Sequence, residues 1–320
     1  MQEKICLQKN ANKLKLSYFN GLELWKDWRC FFMANNPRIF IYQIFYDDLT
    51  RSKLDKGFIP LDNTQNLRPD WAEYWPIRNV LLNQNFNSND YIGFLSSKFH
   101  EKTWCSSEVL LDTIASRKHE FYSISPYFDQ MALYSSNFEQ GENYHPGIKN
   151  LTNAFLRQIG IDYDVSNFVS DVSTCIYCNY FVAKYEFWKI WLEYAEKLFH
   201  IAEDPHNNLG KLFANFTEHR EKNDTYQMKV FLLERLVSLV LKFQNISAFH
   251  MLDVRKAPFS LHNVSNYLGD LLTCDALKGQ YLKTNSLCYL QEFANVRNKV
   301  FSNLKSIAQN KTNSGVINAP

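Results

Sequence analysis

The first half of the chain alternates short apolar runs with helical patterns, and this alternation constrains the fold more than any other feature. A run dense in β-branched and aromatic residues, RIFIYQIFY, covers residues 38–46, and similar runs begin at Asp90 and Glu120. A helical pattern separates each run from the next. Strands that alternate with helices assemble into a mainly parallel sheet covered by helices. The sequence therefore predicts an α/β fold with a mainly parallel, twisted sheet.

Two helices are predicted inside this alternation, and the second half of the chain is mainly helical. The first helix begins at, or is interrupted by, Pro76, and the second has Ser106 or Ser107 as its N-cap. Further on, the pattern is helical on both sides of a break at residues 141–147. A strand is predicted from Cys175 into an aromatic helix, and the helix TYQMKVFLLERLVSLVLKFQ is apolar on nearly every side, which indicates burial.

Composition divides the chain into four segments. Residues 1–36 are polar and contain the amphipathic pattern LELWKDWRCFF, which predicts a helical extension. A membrane-surface anchor is the alternative, but the mixed charge of the polar side favours packing on the domain. Residues 37–245 are predicted to form the layered domain, residues 246–302 a helical region packed on it, and residues 303–320 a mobile tail.

Charge and apolar content exclude several classes of protein. The chain carries 35 basic and 33 acidic residues, a net charge of +2, so no global field attracts nucleic acid. The richest apolar run, residues 230–243, contains Glu234, Arg235 and Lys242, and it falls short of the ~18 apolar residues of a membrane span. The N-terminus has no signal-peptide pattern. We therefore expect no nucleic-acid partner, and a cytoplasmic location with at most peripheral contact with the inner face of the membrane.

The cysteines and the familiar nucleotide motifs give mainly negative information. Seven dispersed cysteines are typical of reduced thiols, and the CxxC pair Cys175 and Cys178 has no second ligand pair at zinc-site spacing. Buried thiols are favoured over a metal or redox role. GxGxxG, GxxxxGK[ST], GxSxG and HExxH do not occur, which disfavours the dinucleotide, P-loop, serine-hydrolase and zincin classes.

An ordered set of short motifs remains. EYWPIRNVL precedes DYIGFLSSKF, and NFEQGENYH, CNYFVAKYEFWKIWLEY and FLLERL follow in that order. This succession resembles a family of bacterial cell-surface polysaccharide glycosyltransferases of GT-A type, whose motifs are DYIGLxHYRRY, NMFIM and FLxERL. The resemblance implies a GT-A-like fold. It also implies transfer of a sugar from a nucleoside diphosphate donor, with a UDP-sugar expected, to a saccharide or lipid-linked acceptor in capsule or O-antigen synthesis.

The chain departs from the family pattern at two points, and it also differs from many other GT-A enzymes. The family's His-Lys after the first strand is replaced by Tyr42 and Gln43, followed by Asp47 and Asp48. Residues 95–99, LSSKF, replace HYRRY, so two hydroxyls and a lysine stand where the family has arginines. The Asp-x-Asp that holds Mg²⁺ or Mn²⁺ in many GT-A enzymes has no counterpart at this place. We expect no cofactor, because cationic side chains can stabilise the departing diphosphate, and a divalent metal is the alternative. A non-catalytic glycan-binding or assembly subunit that keeps the fold is the alternative function.

The donor is predicted to bind at the ends of two strands. The base and ribose can be bound by the amides, carboxylates and phenol that lie in and after the first strand. Asp47 and Asp48 are an alternative pair of ribose-binding carboxylates. The competing interpretation is that this segment is an ordinary solvated loop. The diphosphate is assigned to hydroxyls and cations near the second strand, beside a helical arginine. The predicted donor residues are Tyr42, Gln43, Asp62, Asn63, Arg78, Ser96, Ser97 and Lys98. We expect the strand ends near Gln43 and Ser97 to form one cradle.

Two carboxylates are predicted as the catalytic base. Glu234 lies in the largely apolar FLLERL helix, where a buried ion pair with Arg235 is the competing interpretation. Asp129 is the rival candidate. The predicted acceptor-binding residues are Glu142, His145, Asn179 and Tyr180.

Overall fold

The computed structural model describes residues 37–218 and 225–314. The predicted N-terminal helix in residues 1–36 and the last six residues of the predicted tail, 315–320, lie outside these ranges. The strands are β1 (Ile39–Phe45), β2 (Ile59–Asp62), β3 (Tyr91–Ser96), β4 (Phe121–Ser123), β5 (Phe181–Lys184), β6 (Phe216–Glu218), β7 (Thr225–Gln227) and β8 (Ala248–His250).

Six of these strands form one sheet in the order β2–β1–β3–β5–β4–β8, and β6 pairs with β7 in a separate antiparallel ribbon. Strands β1, β2 and β3 are parallel, as are β4 and β8, and β5 runs antiparallel to both of its neighbours. Five strands of the sheet therefore point the same way. The predicted α/β class with a mainly parallel sheet is confirmed.

Helices flank the sheet and build the C-terminal part. They are α1 (Asp48–Ser52), α2 (Tyr74–Asn83), α3 (Phe99–Thr103), α4 (Ser107–Ser116), α5 (Phe128–Leu133), α6 (Asn137–Tyr144), α7 (Ile148–Gln158), α8 (Tyr185–Glu203), α9 (Asn208–Phe213), α10 (Met228–Gln244), α11 (Leu268–Thr284) and α12 (Leu287–Ser314). Pro76 occupies the third position of α2, where its missing N–H costs no helical hydrogen bond. Ser106 accepts a hydrogen bond from the Val109 N–H as the N-cap of α4, as predicted. None of the helices in the described ranges is long and apolar enough to cross a membrane.

The core lies on both faces of the sheet. Alternate residues of β1 point to opposite sides, so Ile44 packs with α2, α8 and α10, while Ile41 packs under α3 and α4. The β3 neighbours Phe94 and Leu95 divide in the same way. Since both faces are covered, β1 and β3 have nearly continuous apolar sequences, which is why they were recognisable.

Helix α10 is buried as predicted, and its central charge finds partners on α6. Arg235 is 4% exposed and donates to the Asn137 carbonyl, the Phe231 carbonyl and the Gln140 side chain. A Cβ on Gly141 would lie 2.5 Å from the Arg235 Nε, so this glycine makes room for the guanidinium inside α6. The predicted break at residues 141–147 therefore begins only after Tyr144, where α6 ends.

Three segments differ from the sequence prediction. The strand predicted from Cys175 is wrong for residues 175–180, which are irregular and contain left-handed residues at Cys178 and Asn179; β5 begins at Phe181. Residues 246–302 were predicted to be a helical region, but Ala248–His250 form β8, which pairs with β4 at the edge of the sheet. Helix α12 continues past residue 303 to Ser314.

Candidate functional site

A cavity of about 470 Å³ opens at the edge of the sheet where β1 and β3 end. Its walls come from the turn after β1, the connection between β2 and α2, the turn between β3 and α3, the turn before β5, strand β7 and helix α10. Parallel strands bring their carboxyl ends to one edge of the sheet, and ligands of open α/β folds bind there. The position and size of this cavity make it the candidate functional site.

Charges of both signs line the cavity. Lys98 precedes α3 and Lys102 lies within it, while Glu73 precedes α2 and Glu234 lies on α10. The two lysines can attract an anion, and the two carboxylates can accept a proton or bind sugar hydroxyls. The site therefore combines the groups that phosphate binding and acid–base chemistry require.

Glu73 is held by a tyrosine from the end of β1. The Tyr46 hydroxyl donates to the Glu73 Oε1 at 2.9 Å. Burial raises the pKa of Glu73; the Tyr46 hydrogen bond and the Lys102 charge oppose this, and the negative charge of Glu234 adds to it. The net effect is a pKa above the ordinary glutamate value.

Lys102 lies against the turn that precedes β5. Its Nζ is 3.4 Å from the Cys178 Sγ and 5.8 Å from the centre of the Tyr180 ring. Burial alone would lower the pKa of Lys102, but the surrounding acidic groups, including Cys178, Tyr180 and Glu73, raise it above the ordinary lysine value. Burial raises the pKa of the Cys178 thiol to about 11. The Lys102 amino group is thus positioned beside Cys178 in the cavity wall.

Three residues in the cavity wall have backbone conformations that are rare for residues other than glycine. The φ angles are 41° at Asn66, 46° at Ala72 and 60° at Cys178. At Ala72 and Cys178 such a conformation costs about 1–3 kcal/mol, whereas asparagine adopts it more readily. Strained residues concentrate at functional sites. The strain supports the choice of this cavity as the site.

Ala72→Gly is expected to raise the free energy of unfolding by about 0.5–1 kcal/mol, because glycine adopts a positive φ without a Cβ clash. Urea unfolding followed by tryptophan fluorescence measures the change. Ala115→Gly is the matched control: Ala115 is an exposed helical residue of α4, so this change is expected to lower the free energy by about 1 kcal/mol. Equal destabilisation by both changes would contradict strain at Ala72.

Five of the predicted site residues meet in this cavity. Ser96, Ser97 and Lys98 line it from the end of β3, Tyr180 from the turn before β5, and Glu234 from α10. The Ser96 and Tyr180 hydroxyls form a hydrogen bond with each other. The end of one predicted donor-site strand, one predicted acceptor residue and the predicted catalytic helix therefore border one space.

The two predicted residues within β1 lie behind the cavity. Tyr42 is in the core, where its ring stacks on Phe94 at 5.2 Å and its hydroxyl donates to Gln84. Gln43 is 1% exposed; its Nε2 donates to the Ser96 carbonyl and its Oε1 accepts from the Asp55 N–H. The buried Gln43 side chain thus links β1 to the end of β3 behind the cavity. The residues that line the cavity come instead from the turn after β1.

The other predicted donor residues also lie outside the cavity lining. Asp62 is exposed and accepts from Thr64 in a local turn, and Asn63 is buried at the end of β2. Arg78 forms an ion pair with Glu196 at 2.6 Å, with its guanidinium over a phenylalanine ring. These contacts stabilise the packing of α2 on α8, and the arginine is committed to them.

Asp129 is fully buried and holds two segments together. Its carboxylate accepts from the Ser260 N–H, the Ser260 hydroxyl and the Leu261 N–H. The predicted role as a catalytic base is therefore not supported by its position, because protein donors occupy its oxygens and it does not line the cavity.

Three of the predicted acceptor residues lie outside the cavity lining, either in local hydrogen bonds or packed behind the cavity wall. Glu142 accepts from the N–H groups of Gly147 and Lys149, which fixes the start of α7. The His145 ring stacks 3.6 Å from the ring of Phe231, a residue of the cavity wall. Asn179 is buried in the strained turn before β5 and is not part of the lining.

Glu73, Tyr46 and Lys102 are not among the site residues selected from the sequence. Glu73 is the first residue of EYWPIRNVL, the motif in which Arg78 is the predicted donor residue. Lys102 follows Lys98 by four residues, a spacing that places two side chains on one helical face. That spacing was a usable signal; the meeting of Tyr46 with Glu73, 27 residues apart, was not visible in the sequence.

Comparison with known proteins gives no further assignment: no family model matches the chain, and neither curated proteins nor solved structures give a significant match. The family resemblance of the motifs therefore stays a prediction. In the part of the chain that the structure describes, no group of three or more His, Cys, Asp or Glu side chains is arranged to hold a metal ion.

Proposed function

We propose that the chain is a glycosyltransferase. It would move a sugar from a nucleoside diphosphate donor, a UDP-sugar, to a saccharide or lipid-linked saccharide during surface polysaccharide synthesis, on the cytoplasmic side of the membrane. The observation that carries this proposal is one cavity, at the carboxyl edge of a mainly parallel sheet, in which two lysines lie with two carboxylates. The ordered motifs of the sequence support the same class.

The lysines account for the leaving group. A nucleoside diphosphate departs with developing negative charge, and preorganised cations stabilise that charge. The pKa of Lys102 is raised above the ordinary lysine value, so its amino group carries a positive charge at neutral pH. Ser97 and Lys98 line the same cavity directly after the end of β3. We therefore propose charge compensation by side chains, without a divalent metal.

The rest of the cavity offers contacts for the base and the sugars. Tyr226 from β7 supplies a partly exposed ring, and Asn66 from the connection between β2 and α2 supplies an amide. Rings stack on bases, and amides bind their polar edges. A cavity of about 470 Å³ is within the usual range for ligands of this size.

Thermal unfolding with UDP, GDP, ADP, CDP and TDP, each with and without Mn²⁺, tests the proposal. We expect UDP to stabilise the chain without metal, by about 2.7 kcal/mol at a concentration 100 times its Kd. A Lys98→Met, Lys102→Met double variant is expected to lose this stabilisation. Flat curves across the panel would contradict the proposal, and stabilisation only with Mn²⁺ would contradict the metal-independent part.

Release of UDP from UDP-sugars separates an enzyme from a binding subunit. We expect slow release with water as acceptor, accelerated when a saccharide acceptor is present. Binding of UDP without any release or transfer would indicate a non-catalytic glycan-binding subunit that keeps the fold.

A further inference from the structure

The proposed transfer requires a group that takes the proton of the attacking hydroxyl, and the cavity contains two carboxylates. We propose that Glu73 is this general base, that Tyr46 is its positioning residue, and that Glu234 acts on it as a neighbouring charge. This inference rests on the proposed function, since it assigns one step of the same reaction.

The backbone holds Glu73 firmly at the cavity wall. Its neighbours in sequence, Trp71 and Tyr74, are each 1% exposed. The Trp71 Nε1 donates to Glu203 at 2.9 Å, and the Tyr74 hydroxyl donates to Glu196. Glu73 and the strained Ala72 thus lie between two anchored aromatic residues. Because its backbone is fixed in this way, Glu73 needs little reorganisation before it can act as a base.

Tyr46 fixes the carboxylate itself. Its hydroxyl donates to Oε1, and in the described part of the chain no other group donates to the Glu73 carboxylate. Burial raises the pKa of Tyr46 far above the ordinary tyrosine value, so the hydroxyl keeps its proton and stays a donor. Oε2 is thereby left to accept a proton from a substrate.

Glu234 has different surroundings. Its side chain is 39% exposed, and its Oε2 lies 3.9 Å from the buried guanidinium of Arg235. Glu234 therefore lies beside solvent and a neighbouring cation, whereas Glu73 is held in the cavity wall by Tyr46. Burial raises the pKa of Glu73, and the charge of Glu234 adds to this. A carboxylate with a raised pKa is a stronger proton acceptor when it is ionised.

The proposed step is a direct displacement. The acceptor oxygen forms a bond to the anomeric carbon of the donor sugar while the bond from that carbon to the diphosphate oxygen breaks. The diphosphate leaves with the bonding electron pair beside Lys98 and Lys102. The hydroxyl proton passes to Glu73 Oε2, so charge and atoms balance without any further reactant.

The pH dependence of UDP release tests this inference, because two variants should shift the midpoint of the pH profile in opposite directions. The titratable groups around Glu73 are Tyr46, Lys98, Lys102, Cys178, Tyr180, Tyr226 and Glu234. Release is expected to rise with pH as Glu73 loses its proton. Tyr46→Phe should move the midpoint up by about one pH unit, because the carboxylate loses a hydrogen bond. Glu234→Gln should move it down, because a repelling charge disappears.

Glu73→Gln should lower the rate of UDP release at least about 100-fold while UDP binding, followed by thermal shift, is retained. Tyr194→Phe and Glu193→Gln are matched controls on α8, outside the cavity lining, and should leave the midpoint unchanged. If Glu73→Gln does not fold, the two midpoint shifts still decide.

The outcomes separate this inference from the proposed function. UDP binding with unmoved midpoints in Tyr46→Phe and Glu234→Gln overturns the inference alone. So does Glu234→Gln abolishing release while Glu73→Gln retains more than about a tenth of it. A wild-type chain that binds no nucleoside diphosphate overturns both.

Discussion

An Asp129→Ala variant is expected to unfold with a free energy about 3 kcal/mol lower than that of the wild type. The carboxylate is fully buried and accepts hydrogen bonds from two N–H groups and one hydroxyl, at Ser260 and Leu261. Alanine removes every one of these acceptors and leaves a gap between α5 and the 257–261 segment. Hydrogen bonds to a charged group are among the stronger ones, so their loss is large.

Urea unfolding measures this loss, and Asp253→Ala is the matched control. Asp253 is bonded by the exposed side chain of Arg255, so its removal should cost less than about 1 kcal/mol. The less disruptive Asp129→Asn should retain UDP binding and release in the fraction that folds. If Asp129→Asn instead kept full stability and lost release, the sequence-based assignment of Asp129 as catalytic base would be right and the structural role wrong.

Lys102→Met is expected to weaken UDP binding about 10–100-fold, because one charge-assisted hydrogen bond contributes about 1.5–3 kcal/mol. Methionine keeps most of the side-chain volume beside Cys178 and Tyr180 but removes the ammonium. Uridine, which has no phosphate, should bind the variant and the wild type equally. The effect should also shrink at high salt, although less than for a fully exposed lysine.

Isothermal titration with UDP and with uridine measures both affinities. Lys256→Met is the control for net charge, since its side chain is 81% exposed and it does not line the cavity. An unchanged UDP affinity in Lys102→Met would remove Lys102 from the diphosphate site. An equal loss for uridine would indicate that the variant damaged the fold of the pocket rather than its charge.

Local sequence patterns were sufficient to predict the fold class, an α/β fold with a mainly parallel sheet. The β-branched runs of β1 and β3 are nearly continuous because both faces of the sheet are covered, and Ser106 before α4 is an ordinary capping signal. The short strands β5 and β8 were harder, with three or four residues each. Left-handed residues at Cys178 and Asn179 interrupt what reads as a longer strand, and such backbone turns have no reliable signature in residues other than glycine.

Part of the lining of the candidate cavity could be predicted from the sequence, and the predicted residues that lie outside it do so for one physical reason. Ser97, Lys98 and Glu234 reach the cavity because strand ends and one helix face fix their positions. Arg78 and Asp129 were chosen for their charge, but partners more than 100 residues away, such as Glu196 and Ser260, determine what those charges do. A local pattern indicates which groups are present; the tertiary contacts decide which of them remain available to a ligand.

A crystal structure of the chain with UDP tests the central claim most directly. We expect the diphosphate in the cavity at the ends of β1 and β3, with its oxygens about 2.7–2.9 Å from the Nζ atoms of Lys98 and Lys102. The structure has another cavity between α7 and α9, near Asn150. A diphosphate bound there, or anywhere else outside the cavity at the ends of β1 and β3, would contradict the claim.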